Sequence, residues 1–315
     1  MVGPSIGVSP SGADRCPTVL VVGAASRDLD PTDPRGWRLG GGVTYGSMAA
    51  AGLGVRVRAL IGVDREASTA RELEMLAGAG VEVEPLLLDR GPVFDNVERS
   101  DGRVQICHEV SDRMAASALP AAWRSPEAVV FAPVAGELGP PWARAVPSGP
   151  IVGLGWQGLL RRLTPGQTVE SVPARPSALL RRADIVVASV EDLRAGGPRL
   201  DLLVGRPGQQ LLITNRASPA LYLRRFEMGL VGRLVPTLPV ESGRSPTGAG
   251  DVLLSTWVAG EAALRCAGQL QFTYRVIAVA MTAAGLKVAS QASSAVSSVD
   301  EIRLKVAELR LANGR

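Results

Sequence analysis

The sequence predicts an α/β fold with a mostly parallel central sheet covered by helices on both faces. Two observations carry this reading. Apolar runs of strand length alternate along the chain with segments of helix length. Most of the runs are nearly continuous in apolar residues, the pattern of strands buried on both faces. At 315 residues the chain fits one large α/β domain. Its composition is 46% hydrophobic but only 4% aromatic, so Ala, Val and Leu must do most of the packing.

The elements follow in order. Thr18–Val22 reads as a first strand ending at Gly23, and Thr44–Leu53 as a helix of small residues. Val57–Ile61 is a strand, Ala67–Ala79 a helix with Leu73 and Leu76 on one face, and Val81–Leu88 a strand. Further strands are expected at Ala128–Phe131, Pro150–Leu154, Asp184–Ala188 and Gln210–Thr214. The last third reads as helical over Val252–Cys266, Phe272–Ser290 and Val299–Leu311, the last opened by the capping pair Ser298 and Glu301. Asp30–Leu39 and Pro92–Arg113 break the rhythm. Both are more polar, and the second alternates around Ser100-Asp101-Gly102, which suggests a small β-structure outside the main sheet. Residues 1–16 read as a Gly/Ser/Pro-rich tail and 17–315 as one domain.

Composition excludes several function classes. The net charge is +4, carried almost wholly by scattered arginines, with Lys only at 287 and 305. A nucleic-acid binder would gather that charge on one face. The cysteines Cys16, Cys107 and Cys266 are far apart, odd in number and without metal-ligand spacing. The N-terminus lacks a basic region followed by an apolar core, and Val276–Leu286 is too short to span a bilayer. The expectation is a soluble cytoplasmic protein whose partner is a small molecule, with no nucleic acid and no membrane.

The strongest chemical signal is Ser245-Pro246-Thr247-Gly248-Ala249-Gly250-Asp251 ahead of a helical run. Small residues let backbone approach a ligand, and the free N–H groups of a helix start favour an anion. A carboxylate beside such an anion hole is out of place for phosphate binding alone. It suits a base that takes a proton from an attacking hydroxyl. The same residues would also serve as a plain helix start with an Asp favoured by the dipole. From these residues alone both readings stand.

This segment resembles the C-terminal signature of the ribokinase-like (PfkB) family of sugar, nucleoside and cyclitol kinases. Val21-Val22-Gly23 followed by Asp28 is similar to that family's first strand and substrate-binding Asp. Leu39-Gly40-Gly41-Gly42-Val43-Thr44-Tyr45 and the following run to Asp64 are similar to its N-terminal signature. The resemblance implies a three-layer α/β/α domain with a small β lid, here about residues 30–39 and 92–113. It implies ATP and Mg²⁺, with Asp251 as base and Gly248, Ala249 and Gly250 as the anion hole. Asp28, Gly40 and Gly41 would touch substrate. Thr214, Arg216, Thr247 and Ser189 would face the donor, and Asp192 the metal. A homodimer through lid strands is a common arrangement in the family.

Four positions depart from the family pattern. Ser245 stands where an Asp helps form a monovalent-cation site. Ser189-Val190-Glu191-Asp192 replaces Asn-x-x-Glu. The glycines that usually follow the strand ending at Thr214 are replaced by Asn215-Arg216-Ala217-Ser218-Pro219. Tyr45 occupies a position that is often Asn in ribose kinases. A second resemblance, to the myo-inositol kinase-like branch, rests on Phe94-Asp95-Asn96, on Asp101 to Gln105, and on Gly155 to Arg161. It implies that Asn96, Gln105, Gln157 and Arg161 meet a polyol, which needs several fixed donors and acceptors.

Two motifs lead elsewhere and fail on context. Gly153 to Gly158 fits G-x-G-x-x-G, but lies mid-chain without an acidic residue ending a second strand about 20 positions on. His108, the lone histidine, has no Ser or Cys in a hydrolase-like setting. The rival to a kinase is a non-catalytic small-molecule binding protein of the same fold, which the changed donor-side residues favour and Asp251 opposes.

Overall fold

The computed structural model of the protein describes residues 16–99, 102–237, 247–269 and 273–289. Strand β1 (Thr18–Ala24) is buried along its whole length. Val19 and Val21 enter a core with Trp257 and Ile277, while Leu20 and Val22 enter a second core with Phe131 and Trp142. Burying one Val or Leu contributes roughly 1.5–3 kcal/mol. A strand whose alternate residues feed two cores therefore has no position to spare for a polar side chain.

Short strands β2 (Arg27–Leu29) and β3 (Trp37–Leu39) precede helix α1 (Gly42–Gly52), strand β4 (Arg56–Val63), helix α2 (Arg71–Gly78) and strand β5 (Val81–Leu87). Strands β6 (Val93–Arg99) and β7 (Gly102–Glu109) form an antiparallel pair. Next come β8 (Ala128–Phe131), β9 (Ile151–Gly155) and the short β10 (Arg161–Arg162), β11 (Gln167–Thr168) and β12 (Glu170–Ser171). Helix α3 (Ala178–Arg182), strand β13 (Ile185–Ser189) and helix α4 (Leu200–Leu203) follow. Strands β14 (Gln210–Asn215), β15 (Ser218–Phe226) and β16 (Gly229–Val235) lead to the long helices α5 (Ala249–Cys266) and α6 (Thr273–Ala289).

The main sheet has nine strands in the order β16-β15-β14-β13-β9-β8-β1-β4-β5. From β14 to β5 every pairing is parallel, and only β14–β15 and β15–β16 are antiparallel. A second sheet of five strands, β11-β7-β6-β2-β3, stands apart as the small β lid.

Several elements differ from the sequence reading. The helix expected over Ala67–Ala79 divides into a 3₁₀ turn, Ala67–Thr69, and α2, because Ala70 is extended with ψ 132°. Asp64 holds that turn, its Oδ1 accepting the Ala67 N–H at 2.8 Å and its Oδ2 the Arg27 Nε–H at 2.9 Å. Strands β15 and β16 were not expected, and neither was β11 in the lid. In the polar stretch 30–39 only Trp37–Leu39 is strand, the rest being a loop closed by Asp30 N–H on Gly36 O at 2.9 Å. The helix expected at Val299–Leu311, Ser245 and the turn at Ser100-Asp101 lie outside the described residues. Among the described residues no helix is long and apolar enough to cross a membrane.

Candidate active site

In the main sheet β1 lies between β4 and β8, so the chain leaves β1 on one side and later returns on the other. Loops diverge at such a point and leave a crevice outside the carboxyl ends of the strands. The loop after β1, the start of α1, the loop after β8 and the start of α5 all meet there.

Helix α5 opens on Gly248, whose φ of 80° is left-handed. The Tyr45 ring lies where a side chain would go, since an added Cβ would stand 2.5 Å from Tyr45 Cγ. Backbone and packing therefore both demand glycine at 248. Gly250, in the first turn, is exposed, and Thr247 and Ala249 are partly so. Asp251 also falls in the first turn, partly buried beside Gly42, where an added Cβ would come within 2.5 Å of its Oδ1. Burial pushes the Asp251 carboxyl up to about 7, with Arg161 pulling it down and Asp192 pushing it up through their charges. Both side chains are thus within electrostatic reach of Asp251.

Asp28 lies on β2, and its Oδ1 accepts the Ser26 hydroxyl at 2.9 Å. Gly40 abuts the same carboxylate, and a Cβ there would overlap Asp28 Oδ2. Gly40 and Ser26 exchange backbone hydrogen bonds at 2.7 and 3.2 Å, and the Thr44 hydroxyl donates to Gly40 O at 2.9 Å. Gly41, with φ 90°, precedes α1. Asn96 and Gln105 are cross-strand partners in the lid, Gln105 Nε2 donating to Asn96 Oδ1 at 3.0 Å.

Ser189 and Asp192 interlock. The Ser189 N–H and hydroxyl donate to Asp192 Oδ2 at 2.8 and 2.7 Å, and the Asp192 N–H donates back to Ser189 Oγ at 3.1 Å. Gln157 Nε2 donates to Asp192 Oδ1 at 3.2 Å. Sequence reasoning had separated Gln157 from Asp192, and the fold joins them. Gln157 lies in a 3₁₀ turn, Gln157–Leu159, so the G-x-G-x-x-G run does not open an α-helix. Thr214 Oγ1 points to Ala188 O at 3.4 Å, at the ends of β14 and β13. Arg216, exposed and with φ 50°, donates from Nε to Glu191 Oε1 at 2.7 Å and so ties the β14–β15 turn to the loop after β13. His108 is exposed on β7.

Sequence reasoning missed three residues here. Gly42 bears on Asp251, and the third glycine of the run was its only signal. Glu137, 1% exposed, accepts the N–H groups of Ala24, Val134 and Ala135 and so pins the loop after β8 to the end of β1. Burial pushes its pKa up against the pull of these donors. Lys287 is 4% exposed on α6, its ammonium 5.3 Å from the centre of the Tyr45 ring that underlies Gly248. Burial lowers its pKa. One of only two lysines, at the end of the apolar run Val276–Leu286, was the available signal.

Among the described residues no three His, Cys, Asp or Glu side chains gather as a cation cage. Mg²⁺ commonly keeps several waters and binds through one or two carboxylates plus substrate phosphates. Asp192 and Asp251, near enough for the charge of one to act on the other, fit that mode and not a closed protein site.

No family model matches this sequence, and no curated protein matches it. Solved structures do match. A pyrophosphate-dependent kinase in the ribokinase family, complexed with a pyrophosphate analogue and myo-inositol, superposes with a TM-score of 0.66. It is 19% identical, over 86% of this chain and 94% of that one. The fold is ribokinase-like. The ribokinase of Thermotoga maritima agrees at a TM-score of 0.63 and 14% identity, over 91% of this chain and 98% of its own. An Escherichia coli structure assigned as ribokinase II, in complex with ATP and Mg²⁺, agrees at 0.64 and 14%, over 93% and 99%. These structural neighbours of the ribokinase-like chain are kinases.

Proposed function

We propose that this chain is a phosphotransferase that moves a phosphoryl group from a Mg²⁺-bound donor to a hydroxyl of a sugar-like or cyclitol substrate. The observation that carries the reading is Asp251. It is a partly buried carboxyl raised to about 7, in the first turn of a helix whose N–H groups face the same crevice. A general base is most effective when its pKa lies near the working pH.

The substrate lies between the carboxyl ends of β1 and β8 and the lid. Asp28 accepts substrate hydroxyls, and Gly40 and Gly41 let the ring approach the backbone. Asn96 and Gln105 offer an amide pair from the lid, and Arg161 adds a cation beside Asp251. Asp251 accepts the proton of the attacking hydroxyl. The amides of Gly248, Ala249 and Gly250 meet the charge on the transferring group. Mg²⁺, when bound, neutralises donor phosphate charge, with Asp192 and its partners Ser189 and Gln157 ordering its water. Thr214 and Thr247 border the donor.

The resemblance makes ATP the expected donor. A second reading is inorganic pyrophosphate, the donor of one structural neighbour by its own description. The Arg216–Glu191 tie favours it, because it holds a bulky side chain in the turn where the family's small glycines leave room for a nucleotide.

The test is turnover of purified protein with Mg²⁺ and either ATP or pyrophosphate. The acceptor panel is myo-inositol, ribose, fructose 6-phosphate, 2-keto-3-deoxygluconate, adenosine and cytidine. Acceptor-dependent release of ADP or phosphate that disappears in Asp251→Asn supports the proposal and names the donor. A panel member that raises Tm without turnover on either donor would instead make the chain a binding protein.

A further inference from the structure

A second cleft lies at the far end of α5. It has about 500 Å³ of space and is walled by the segment Ser148–Ile151 and by Arg181, Arg182, Asp184, Arg206 and Arg265. Four arginines and one carboxylate leave a formal charge of +3. Arg265 is fourteen residues beyond Asp251 on α5, or ~21 Å along the helix at 1.5 Å per residue. The cleft sits where β9 and β13 begin, at the opposite sheet edge from the crevice described above.

The arginines are held for recognition of something outside themselves. Arg265 donates to Gly149 O at 2.8 Å, and Arg182 to Pro147 O at 3.1 Å. Arg206 donates to Ala183 O at 2.9 Å and to Asp184 Oδ1 at 2.6 Å. Arg182, Arg206 and Arg265 each spend one or two of their five donors on the framework, which restrains the guanidinium and leaves the rest directed elsewhere. Asp184 is already engaged, because its Oδ2 accepts the Val152 N–H at 2.8 Å. It therefore cannot satisfy Arg181, which is exposed. A concave wall with a net positive charge focuses its field inward, even with Asp184 paired to Arg182 and Arg206, and fixed guanidinium forks match phosphate oxygens in pairs.

We propose that this cleft binds a small phosphate-bearing anion at a site separate from Asp251. The modest volume of the cleft suits a compact polyphosphate or sugar phosphate and not an extended polymer.

Inorganic tripolyphosphate is a suitable probe on the full chain, followed by calorimetry and by amide hydrogen exchange. The variant is Arg181→Gln/Arg265→Gln, both exposed and neither in the machinery near Asp251. Its unliganded Tm should equal that of the parent. Tripolyphosphate should slow exchange of the amides around 148–151 and 265–268 in the parent. In the variant that protection should vanish and the matching Kd rise at least ~10-fold, the size expected for lost charge-assisted hydrogen bonds. Protection near 248–252 should persist, which separates this site from the crevice. No protection in the cleft, or protection unchanged in the variant, would overturn the proposal. So would duplex DNA of equal phosphate concentration binding the cleft more tightly than the probe, since that assigns the arginines to a nucleic-acid backbone.

Discussion

Replacing Asp251 by Asn removes a titrating proton and keeps the shape of the side chain. The folded carboxyl is raised from 3.8 to about 7, a difference of about 3 units, and each unit corresponds to about 1.36 kcal/mol. The folded state binds this proton more tightly than the unfolded state. Stability therefore falls as pH rises from about 4 toward 7 and stays reduced above it. The ionised carboxyl thus costs at most about 4 kcal/mol at pH 8, and less in proportion to the solvent that reaches it. Asn removes that cost. The variant should unfold at a higher temperature than the parent at pH 8, by up to ~8 °C at roughly 2 °C per kcal/mol for a domain of this size. At pH 4 the two should agree. Turnover should fall by a factor of ~10² to 10⁴, the usual contribution of a positioned base. Parent kcat/KM should rise with pH through about 7 as one ionisation. Scanning calorimetry at both pH values and a pH–rate profile check each part. A variant no more stable at pH 8, or one with near-parent turnover, refutes the burial argument or the base assignment respectively.

Three further outcomes follow from the packing. Gly40→Ala places a methyl group against Asp28 Oδ2 and within 3.0 Å of Ser26 Oγ. It should raise KM about tenfold or more by displacing Asp28, with Tm nearly unchanged; an unaltered KM would take Asp28 out of the substrate site. Glu137→Gln keeps one acceptor oxygen and turns an amide NH₂ toward the N–H group of either Ala24 or Ala135, and should lose about 2 kcal/mol in urea unfolding. Trp142 is 1% exposed, donates to Met114 O at 2.9 Å and packs edge-on to Phe131 with ring centres 6.2 Å apart. Trp142→Ala should cost about 3–5 kcal/mol, again by urea unfolding, and a loss under 1 kcal/mol would contradict the packing described.

Much of the fold was legible because its strands are buried on both faces. Thr18–Val22, Val57–Ile61 and Gln210–Thr214 are mostly apolar runs, and each lies in a strand of the main sheet with parallel neighbours. Strand β16 is the sheet edge and mostly exposed, and β15 pairs with it, so neither carries the unbroken apolar run of a strand buried on both faces. The two-residue strand β11 exists only through its pairing with Ile106 and Cys107, a contact no local pattern encodes. The extended backbone at Ala70 splits the segment, where helical periodicity alone continues through.

At the site, the sequence by itself determined the chemistry on offer: a glycine-rich helix start with Asp251, an Asp after the first strand, and a glycine pair ahead of a small-residue helix. Residue type and order are enough for that, because backbone freedom and charge are local properties. Only the tertiary structure decided which groups meet. Arg161 and Asp192 act on Asp251, Gln157 binds Asp192, Lys287 lies over Tyr45, and Glu137 secures the loop beside the crevice. The raised carboxyl of Asp251 belongs to the same class. It arises from desolvation by segments far apart in the chain, and burial is a property of the folded whole.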